Sequence, residues 1–180
     1  MVDRTSVTRL MRYTYTRVES MIDIHAESKD PRAARLSNFT NRHFNFAGVV
    51  CASLEGILQA LKEPGQAKQA EICALSGKEA KQAGTERNAW KEQQLLWWNG
   101  ETYQRASREY LMLITRIYQA AYEQDPSFKQ DLLAVGAEDI CHSIGNPDPQ
   151  DTVLTEVKMI HQLNQLRARA LAERLGDFAK

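Results

Sequence analysis

The sequence has few cysteines and lacks long hydrophobic runs. Three cysteines stand among 180 residues, at Cys51, Cys73 and Cys141, and no two of them are spaced as C-x-x-C. An odd, scattered set of this kind argues against a disulfide framework and a zinc knuckle, and it favours a reducing compartment. No segment approaches the ~20 apolar residues of a membrane-spanning helix, and the first 20 residues lack the apolar stretch of a signal peptide. We therefore expect a cytoplasmic protein without a membrane partner.

The chain also lacks an excess of charge of either sign, because 23 basic residues balance 23 acidic ones. Zero net charge argues against a protein that coats nucleic acid through bulk electrostatics, but it leaves room for a local basic patch. Residues 1–20 contain such a patch, in which arginines outnumber acidic residues. We predict a basic N-terminal extension over 1–20, which either contacts nucleic acid or, as is usual for runs of charge, faces solvent.

Patterns typical of β-strands are confined to the N-terminal third of the chain. Residues 21–28, "MIDIHAES", alternate apolar and polar side chains as a half-buried strand does. Residues 43–53, "HFNFAGVVCAS", predict a hairpin, because two β-prone runs flank an Ala-Gly pair. Between these segments, turn-forming residues predict a loop over 29–41.

Every segment after Ser53 is predicted to be helical or a connecting loop. The longest predicted helices cover 102–124 and approximately 154–175, where apolar residues recur at helical spacing. The expected fold class is α+β and predominantly α-helical. It is a single domain over 21–180 with a small β-sheet or hairpin in its N-terminal third.

The helix predicted after Ser53 carries a polar stripe on an otherwise apolar surface. At ~100° per residue, its branched apolar residues share one face, its small residues a second, and Glu55, Gln59 and Lys62 the third. Ser53 is a good N-cap for this helix. Spacing alone favours a stripe that faces water, because most charged stripes are solvated. The alternative is a stripe that lines a cleft.

A lysine and a carboxylate on one stripe have a definite chemistry. A neutral lysine amine can attack the anomeric carbon of a sugar and form a Schiff base, provided that burial lowers the lysine pKa from its usual ~10.4. A nearby carboxylate can act as general acid and base. Glu55 and Lys62 are two helical turns apart, ~10 Å along the axis, which leaves room for a ribose. They should not form a tight ion pair, since a close negative charge opposes the depression of the lysine pKa.

Four short motifs occur in order along the chain and together resemble the NADAR family, also called YbiA-like. They are "LSNF" (36–39), "ASLEGILQALK" (52–62), "LSGKEAKQAG" (75–84) and "FKQDLLAVG" (128–136). Members of that family share a Ser-Asn-Phe motif, a Ser…Glu…Gln-Ala…Lys helix, an Ala-Lys…Gly helix and a late Leu-Leu…Gly turn. The similarity extends over roughly residues 22–170. It favours a functional stripe over a solvated one.

The resemblance implies an α-rich α+β domain that cleaves N-glycosidic bonds, with no metal and no other cofactor. Activities of the family are removal of ADP-ribose from guanine bases of nucleic acid and hydrolysis of phosphorylated ribosylamino-pyrimidine intermediates of riboflavin synthesis. The implied partner is therefore an ADP-ribose-type or ribosyl-phosphate small molecule, or ADP-ribosylated nucleic acid. We expect an ADP-ribosylated nucleobase as the substrate. A module that binds such a nucleotide without cleaving it is the alternative class.

The same resemblance assigns roles by position. Lys62 would be the nucleophile that forms the sugar Schiff base, and Glu55 the acid/base. Asn38 would help to form the pocket by hydrogen bonding, and Phe39 by packing or stacking. Gln59 faces the same way and would orient the sugar.

Two departures from the family pattern affect the expected recognition of base or phosphate more than the lysine and glutamate chemistry. Gly56 follows the glutamate where many members have His, and residues 141–156 replace an Asp…Trp-Gly…Gly motif with "CHSIGNPDPQDTVLTE". His142, together with Asp148 and Glu156, offers polar groups in this loop. His142 is therefore a candidate substrate-binding residue.

Three further residues are candidate substrate contacts. Ser53 opens the glutamate motif. Trp98 and Arg105 lie in "LLWWNGETYQRASREY" (95–110), where aromatic residues near arginines suit base stacking and phosphate binding. The same pattern predicts, equally well, a core aromatic cluster followed by the exposed start of a helix.

Overall fold

The computed structural model describes residues 20–177, so all of the predicted basic extension except Ser20 lies outside the described residues. They form one mixed α+β domain. Its helices are α1 (Pro31–Leu36), α2 (Leu54–Ala60), α3 (Gln66–Cys73), α4 (Gly77–Thr85), α5 (Trp90–Gln93), α6 (Arg108–Gln124), α7 (Pro126–Ala134) and α8 (Glu156–Asp177). Its strands are β1 (Met21–Asp23), β2 (Phe44–Phe46), β3 (Val49–Cys51), β4 (Leu95–Trp98), β5 (Glu101–Gln104) and β6 (Asp139–Cys141). The predicted fold class is confirmed.

The strands form three small two-stranded sheets. β1 pairs in parallel with β6, from Met21 opposite Asp139 to Asp23 opposite Cys141, and so joins the two ends of the domain. β2 pairs with β3, and β4 with β5, as antiparallel hairpins. The sheets therefore connect the helices to one another and do not form a central layer of the fold.

The predicted hairpin over 43–53 is confirmed. Ala47 and Gly48 form its turn, with φ angles of 52° and 86°. A positive φ at both central residues is the signature of a type I′ turn, whose twist matches that of the flanking strands.

The prediction that every segment after Ser53 is helical or loop is wrong in two places. Residues 95–104 form the β4–β5 hairpin around Asn99 and Gly100, with φ angles of 52° and 87°, another type I′ turn. Helix α6 consequently begins at Arg108 rather than at residue 102. The Ser107 hydroxyl caps its start by accepting a hydrogen bond from Tyr110 N. The second exception is β6, a strand that exists because β1 supplies its partner.

Two predictions for the N-terminal third also need correction. The strand predicted over 21–28 is confined to β1, because His25 and the residues after it turn away from β6. The loop predicted over 29–41 contains α1. Asp30 starts this helix by accepting a hydrogen bond from Arg32 N, and Pro31 stands at its first position, where a missing N–H is harmless.

Helix α2 lies at the centre of the domain, and all of its seven residues are buried. Two glycines allow its neighbours to come this close. A Cβ atom on Gly56 would lie 2.6 Å from the carbonyl oxygen of Leu75, which follows α3, and one on Gly84 of α4 would lie 1.7 Å from Gln59 Oε1. Because α3 and α4 enclose α2, Glu55 and Gln59 do not form a solvated stripe.

Candidate functional site

A cavity of about 480 Å³ opens beside the amino-terminal half of α2. Its walls come from several separate segments that the fold brings together. They are 25–27 after β1, 37–39 after α1, Glu55, Leu58 and Gln59 of α2, Lys78 and Lys81 of α4, His142 and 144–146 after β6, 152–154, and Met159 of α8. The volume suits a small molecule the size of a nucleotide.

Glu55 and Gln59 form a hydrogen-bonded pair on the cavity wall. Gln59 Nε2 donates to Glu55 Oε1 at 2.7 Å, and the two side chains are buried, with 6% and 2% of their surface exposed. The Oε1 atom of Gln59 is buried without a hydrogen-bond partner. The carboxylate and the amide are thus held by one turn of helix, as their i, i+4 spacing predicted.

Ser53 sets the start of that helix and is not part of the cavity wall. Its hydroxyl accepts from Gly56 N at 2.9 Å and donates to Leu75 O at 3.1 Å, and the residue has no exposed surface. Both hydrogen-bonding functions of the hydroxyl are therefore used within the protein. The candidate role in substrate binding becomes a structural role, that of an N-cap.

Asn38 and Phe39 line the cavity, as the Ser-Asn-Phe motif implied. The carbonyl oxygen of the Asn38 side chain accepts from the Tyr118 hydroxyl at 2.7 Å, and its amide nitrogen lies 3.7 Å from the sulfur of Met159. The backbone oxygen of Asn38 also accepts from Glu55 N at 2.9 Å. Asn38 therefore fixes the start of α2 against the rest of the site.

Lys62 lies behind this wall, with its Nζ donating to Gly84 O at 3.2 Å. It is half-buried and is not one of the residues that line the cavity. Burial lowers the pKa of Lys62 to about 8; the charges of Lys81 and Lys91 act in the same direction and that of Glu55 opposes them. The amine is thus easily made neutral, but its position differs from the one that the resemblance implied.

Two lysines, Lys78 and Lys81, line the cavity, and Lys81 is the one that lies beside Glu55. Its Nζ lies 3.7 Å from Glu55 Oε1, and 59% of its side chain is exposed. Lys81 was not among the candidate residues, although it is the lysine of the Ala-Lys…Gly motif quoted above. The Ala-Lys…Gly motif was the sequence signal that could have identified Lys81. The packing of α4 against α2 brings this lysine next to Glu55.

Two histidines, His25 and His142, also line the cavity. The Nδ1 atom of His142 is hydrogen-bonded to the carbonyl oxygen of Ile24, and the predicted role of His142 in substrate binding stays a prediction. Because a carbonyl oxygen only accepts, Nδ1 carries the hydrogen of this bond, and Nε2 is the ring nitrogen left for a ligand. The Nε2 atom of His25 lies 3.9 Å from Asp23 Oδ2.

Trp98 and Arg105 do not line the cavity, and for Trp98, a core residue, this corrects the predicted substrate contact. Alternation along β4 turns Leu96 and Trp98 inward, and the Trp98 ring packs 5.5 Å from that of Phe46. The Arg105 side chain is 1% exposed, and its Nε donates to Thr152 O at 2.9 Å, behind the cavity wall. The aromatic cluster is therefore part of the core.

The part of the chain that the structure describes contains no group of three His, Cys, Asp or Glu side chains arranged to hold a metal ion. Over the same residues, none of the helices combines the length and the apolar character needed to cross a bilayer.

Comparison with known proteins identifies the family. The family model of bacteriophage protein GP30.3 matches residues 31–168. A protein of Enterobacteria phage T4, described as an uncharacterized 17.1 kDa protein in the Gp30-rIII intergenic region, is 34% identical over 149 residues, 82% of this chain and 97% of that protein. The NMR structure of Escherichia coli YbiA superimposes with a TM-score of 0.58 at 18% identity, covering 87% of this chain and 88% of YbiA. The YbiA-like resemblance is thus confirmed in the fold, and the chain belongs to the bacteriophage GP30.3 family.

Proposed function

We propose that the protein is an N-glycosidase that hydrolyses the bond between ribose C1′ and a base nitrogen, with an ADP-ribosylated guanine base as its substrate. The observation that carries this proposal is the buried Glu55–Gln59 pair on the cavity wall with an amine, Lys81 Nζ, 3.7 Å from the carboxylate. A carboxylate, an amide and an amine around a cavity of nucleotide size are the groups that such a reaction needs.

The reaction proposed for this site runs through a lysine Schiff base. The neutral amine forms a bond to C1′ while the bond from C1′ to the base nitrogen breaks. Glu55 takes the proton that the amine loses and passes it to the departing nitrogen. The ribose ring then opens: the C1′–O4′ bond breaks, O4′ takes the proton from the lysine nitrogen, and an imine between C1′ and the lysine is left. Water then adds to C1′, the carbon–nitrogen bond to lysine breaks, and the free sugar leaves with the amine restored.

Lys62 is the proposed nucleophile, because its pKa of about 8 leaves about one molecule in ten with a neutral amine at pH 7. Its Nζ must leave Gly84 O and turn towards Glu55 to reach a sugar in the cavity. Lys81 is the second candidate nucleophile, since it already lines the cavity. The two differ in reactivity and in position, so an experiment can separate them.

The test offers the protein two substrates in parallel: DNA carrying ADP-ribosylated guanine, and a phosphorylated ribosylamino-pyrimidine. Released base and sugar are scored for the wild-type protein and for Glu55→Gln, Lys62→Met and Lys81→Met. Borohydride added during turnover should reduce the imine and attach the sugar to one lysine, which peptide mass mapping identifies. The exposed, ion-paired Lys68 supplies a matched control, Lys68→Met.

A sugar attached to Lys62 supports the proposal as stated. A sugar attached to Lys81 would instead identify Lys81 as the nucleophile. Release of neither product, with no adduct on either lysine, rules out the glycosidase. A binding module for the same class of nucleotide is the second candidate function, and the observation that favours it is the position of Lys62 behind the cavity wall. Tight binding of ADP-ribose in calorimetry without any cleavage would identify that function.

A further inference from the structure

Among the residues that the structure describes, a buried guanidinium lies directly behind one wall of the cavity without a counter-ion. Arg105 is 1% exposed, and both of its terminal nitrogens lack a hydrogen-bond partner. Its Nε donates to the carbonyl oxygen of Thr152, and Thr152, Val153 and Leu154 line the cavity. A single backbone segment therefore separates the guanidinium from the space in which a ligand would lie.

The surroundings of Arg105 compensate its charge poorly. The ring of Tyr110 lies 5.2 Å from the guanidinium carbon, and the Tyr110 hydroxyl donates to Val153 O instead of accepting from the arginine. Arginine remains charged in proteins, and a buried charge without a hydrogen-bonded partner is strongly unfavourable. Such a group calls for an explanation, and a bound ion is one of the few available.

A second cation, Lys158, follows the covering segment in the chain, four residues after Leu154. Lys158 is half-buried in the first turn of α8, and its pKa is lowered by burial and then by the charge of Arg105. No ion pair of Lys158 occurs among the residues that the structure describes. Helix α8 has 22 residues, but the N–H groups of Glu156, Lys158 and Met159 at its amino end are already hydrogen-bonded within the protein, so the cations and not the helix end would hold an anion.

We propose that Arg105 and Lys158 form a receptor for a phosphoryl oxyanion at the edge of the cavity. The terminal nitrogens of a guanidinium match two oxygens of one phosphate, and the lysine adds a point charge. That this phosphate belongs to the sugar nucleotide cleaved at Glu55 rests on the proposed function. The anion site itself does not depend on it.

Entry of the anion requires the covering segment 152–154 to move outward. Two surface contacts hold the loop that precedes this segment: Lys91 with the carboxylate of Asp151 at 2.9 Å, and the Gln94 amide with Gln150 O at 3.1 Å. Both are exposed polar contacts of the kind that contribute little to stability. Opening the way to Arg105 also breaks the buried hydrogen bond from the Tyr110 hydroxyl to Val153 O and withdraws Val153 from the core, so the bound anion must compensate for both losses.

The experiment measures thermal unfolding and calorimetric binding of the full chain with inorganic pyrophosphate and with inorganic phosphate, against sodium chloride of equal ionic strength. We expect both anions to raise the unfolding temperature and Lys158→Gln to weaken their binding about tenfold or more. Lys68→Gln, which removes a lysine charge from the surface of α3, should bind as the wild type does. If the tighter ligand is pyrophosphate, the site suits an ADP-ribose-type substrate; if it is phosphate, a ribosyl phosphate.

Arg105→Gln should abolish the effect of the anions, and Lys158→Gln carries the test if that buried variant does not fold. No binding of either anion by the wild type up to about 10 mM, or equal binding by wild type and Lys158→Gln, overturns the proposal. Anion binding that depends on Lys158 in a protein that cleaves neither substrate keeps the anion site and removes the glycosidase. Cleavage of a substrate without Lys158-dependent anion binding keeps the glycosidase and removes the anion site.

Discussion

The Gln59 amide donates to the Glu55 carboxylate at 2.7 Å, and this contact gives the cavity its one buried, oriented carboxylate. The bond occupies one side of Oε1, and Lys81 Nζ approaches the same atom from the cavity side. An acid that must take and return a proton benefits from such fixed neighbours, because no reorganisation is needed during the reaction. The relationship between Glu55 and its two partners is therefore the centre of the site.

Glu55→Gln should lower kcat for base release by about 10²–10⁴-fold, because the amide can neither take the proton from the amine nor deliver one to the departing nitrogen. The substitution keeps an oxygen for Gln59 Nε2, so the pocket should keep its shape. Binding of ADP-ribose, measured by calorimetry, should change much less than kcat. Glu71→Gln, on the exposed surface of α3, is the matched control. A fall in binding as large as the fall in kcat would assign Glu55 to recognition instead.

The pH dependence of cleavage should show which lysine reacts. With Lys62 as nucleophile, kcat/KM rises with pH and levels off near the folded pKa of about 8. The positive charge of Lys81 helps to lower that pKa, so Lys81→Met should move the inflection to higher pH and reduce activity at pH 7 about threefold. Loss of activity at every pH in Lys81→Met, with activity kept in Lys62→Met, would identify Lys81 as the nucleophile.

The sequence predicted those parts of the site that one helix organises by itself. Ser53 as N-cap, with Glu55 and Gln59 one turn apart on a common face, follows from helical periodicity, and the structure has all three as expected. Lys62 was projected onto the same face, but α2 ends at Ala60 and a 3₁₀-type turn follows, in which Lys62 N donates to Gln59 O. A helical projection does not apply beyond the last helical residue, so the direction of this side chain was not predictable.

The missed elements depend on partners distant in the chain. β6 exists because it pairs with β1, more than a hundred residues away, and no local sequence pattern predicts such a pairing. The position of Lys81 depends on α4 packing against α2 through Gly84. The β4–β5 hairpin is different, since Asn99-Gly100 is a strong local turn signal. It was missed because the apolar residues around it also fit a helix, and short apolar runs are ambiguous.

Lys62→Met should stabilise the protein at neutral pH. The pKa of Lys62 falls from 10.5 to about 8 on folding, so the protonated form is less favourable in the folded state, and this cost is fully present below about 8. Between about 8 and 10.5 the unfolded chain binds more protons than the folded one, so the cost disappears as pH rises. Allowing for the lost bond to Gly84 O, we expect a gain of ~1–2 kcal/mol at pH 7.

Urea unfolding of wild type and Lys62→Met at pH 7 and at pH 10 measures this effect. The difference in unfolding free energy between the two proteins should be smaller at pH 10, because Lys62 is then largely neutral in the folded wild type. Comparing the two proteins at each pH cancels the titration of other groups. A destabilised Lys62→Met at pH 7 would mean that the amine is a structural residue with no burial cost to remove.

Gly84→Ala should disable the site by displacing Gln59. The added Cβ would lie 1.7 Å from Gln59 Oε1 and 2.9 Å from its Cβ, so the side chain must move, and the bond that holds Glu55 is lost with it. Overpacking of this kind costs about 1–3 kcal/mol in unfolding free energy. Gly176→Ala in α8 is the control: it meets nothing within 4 Å and should be neutral or slightly stabilising. If Gly84→Ala matched Gly176→Ala in both stability and base release, the Glu55–Gln59 pair would not be needed for function.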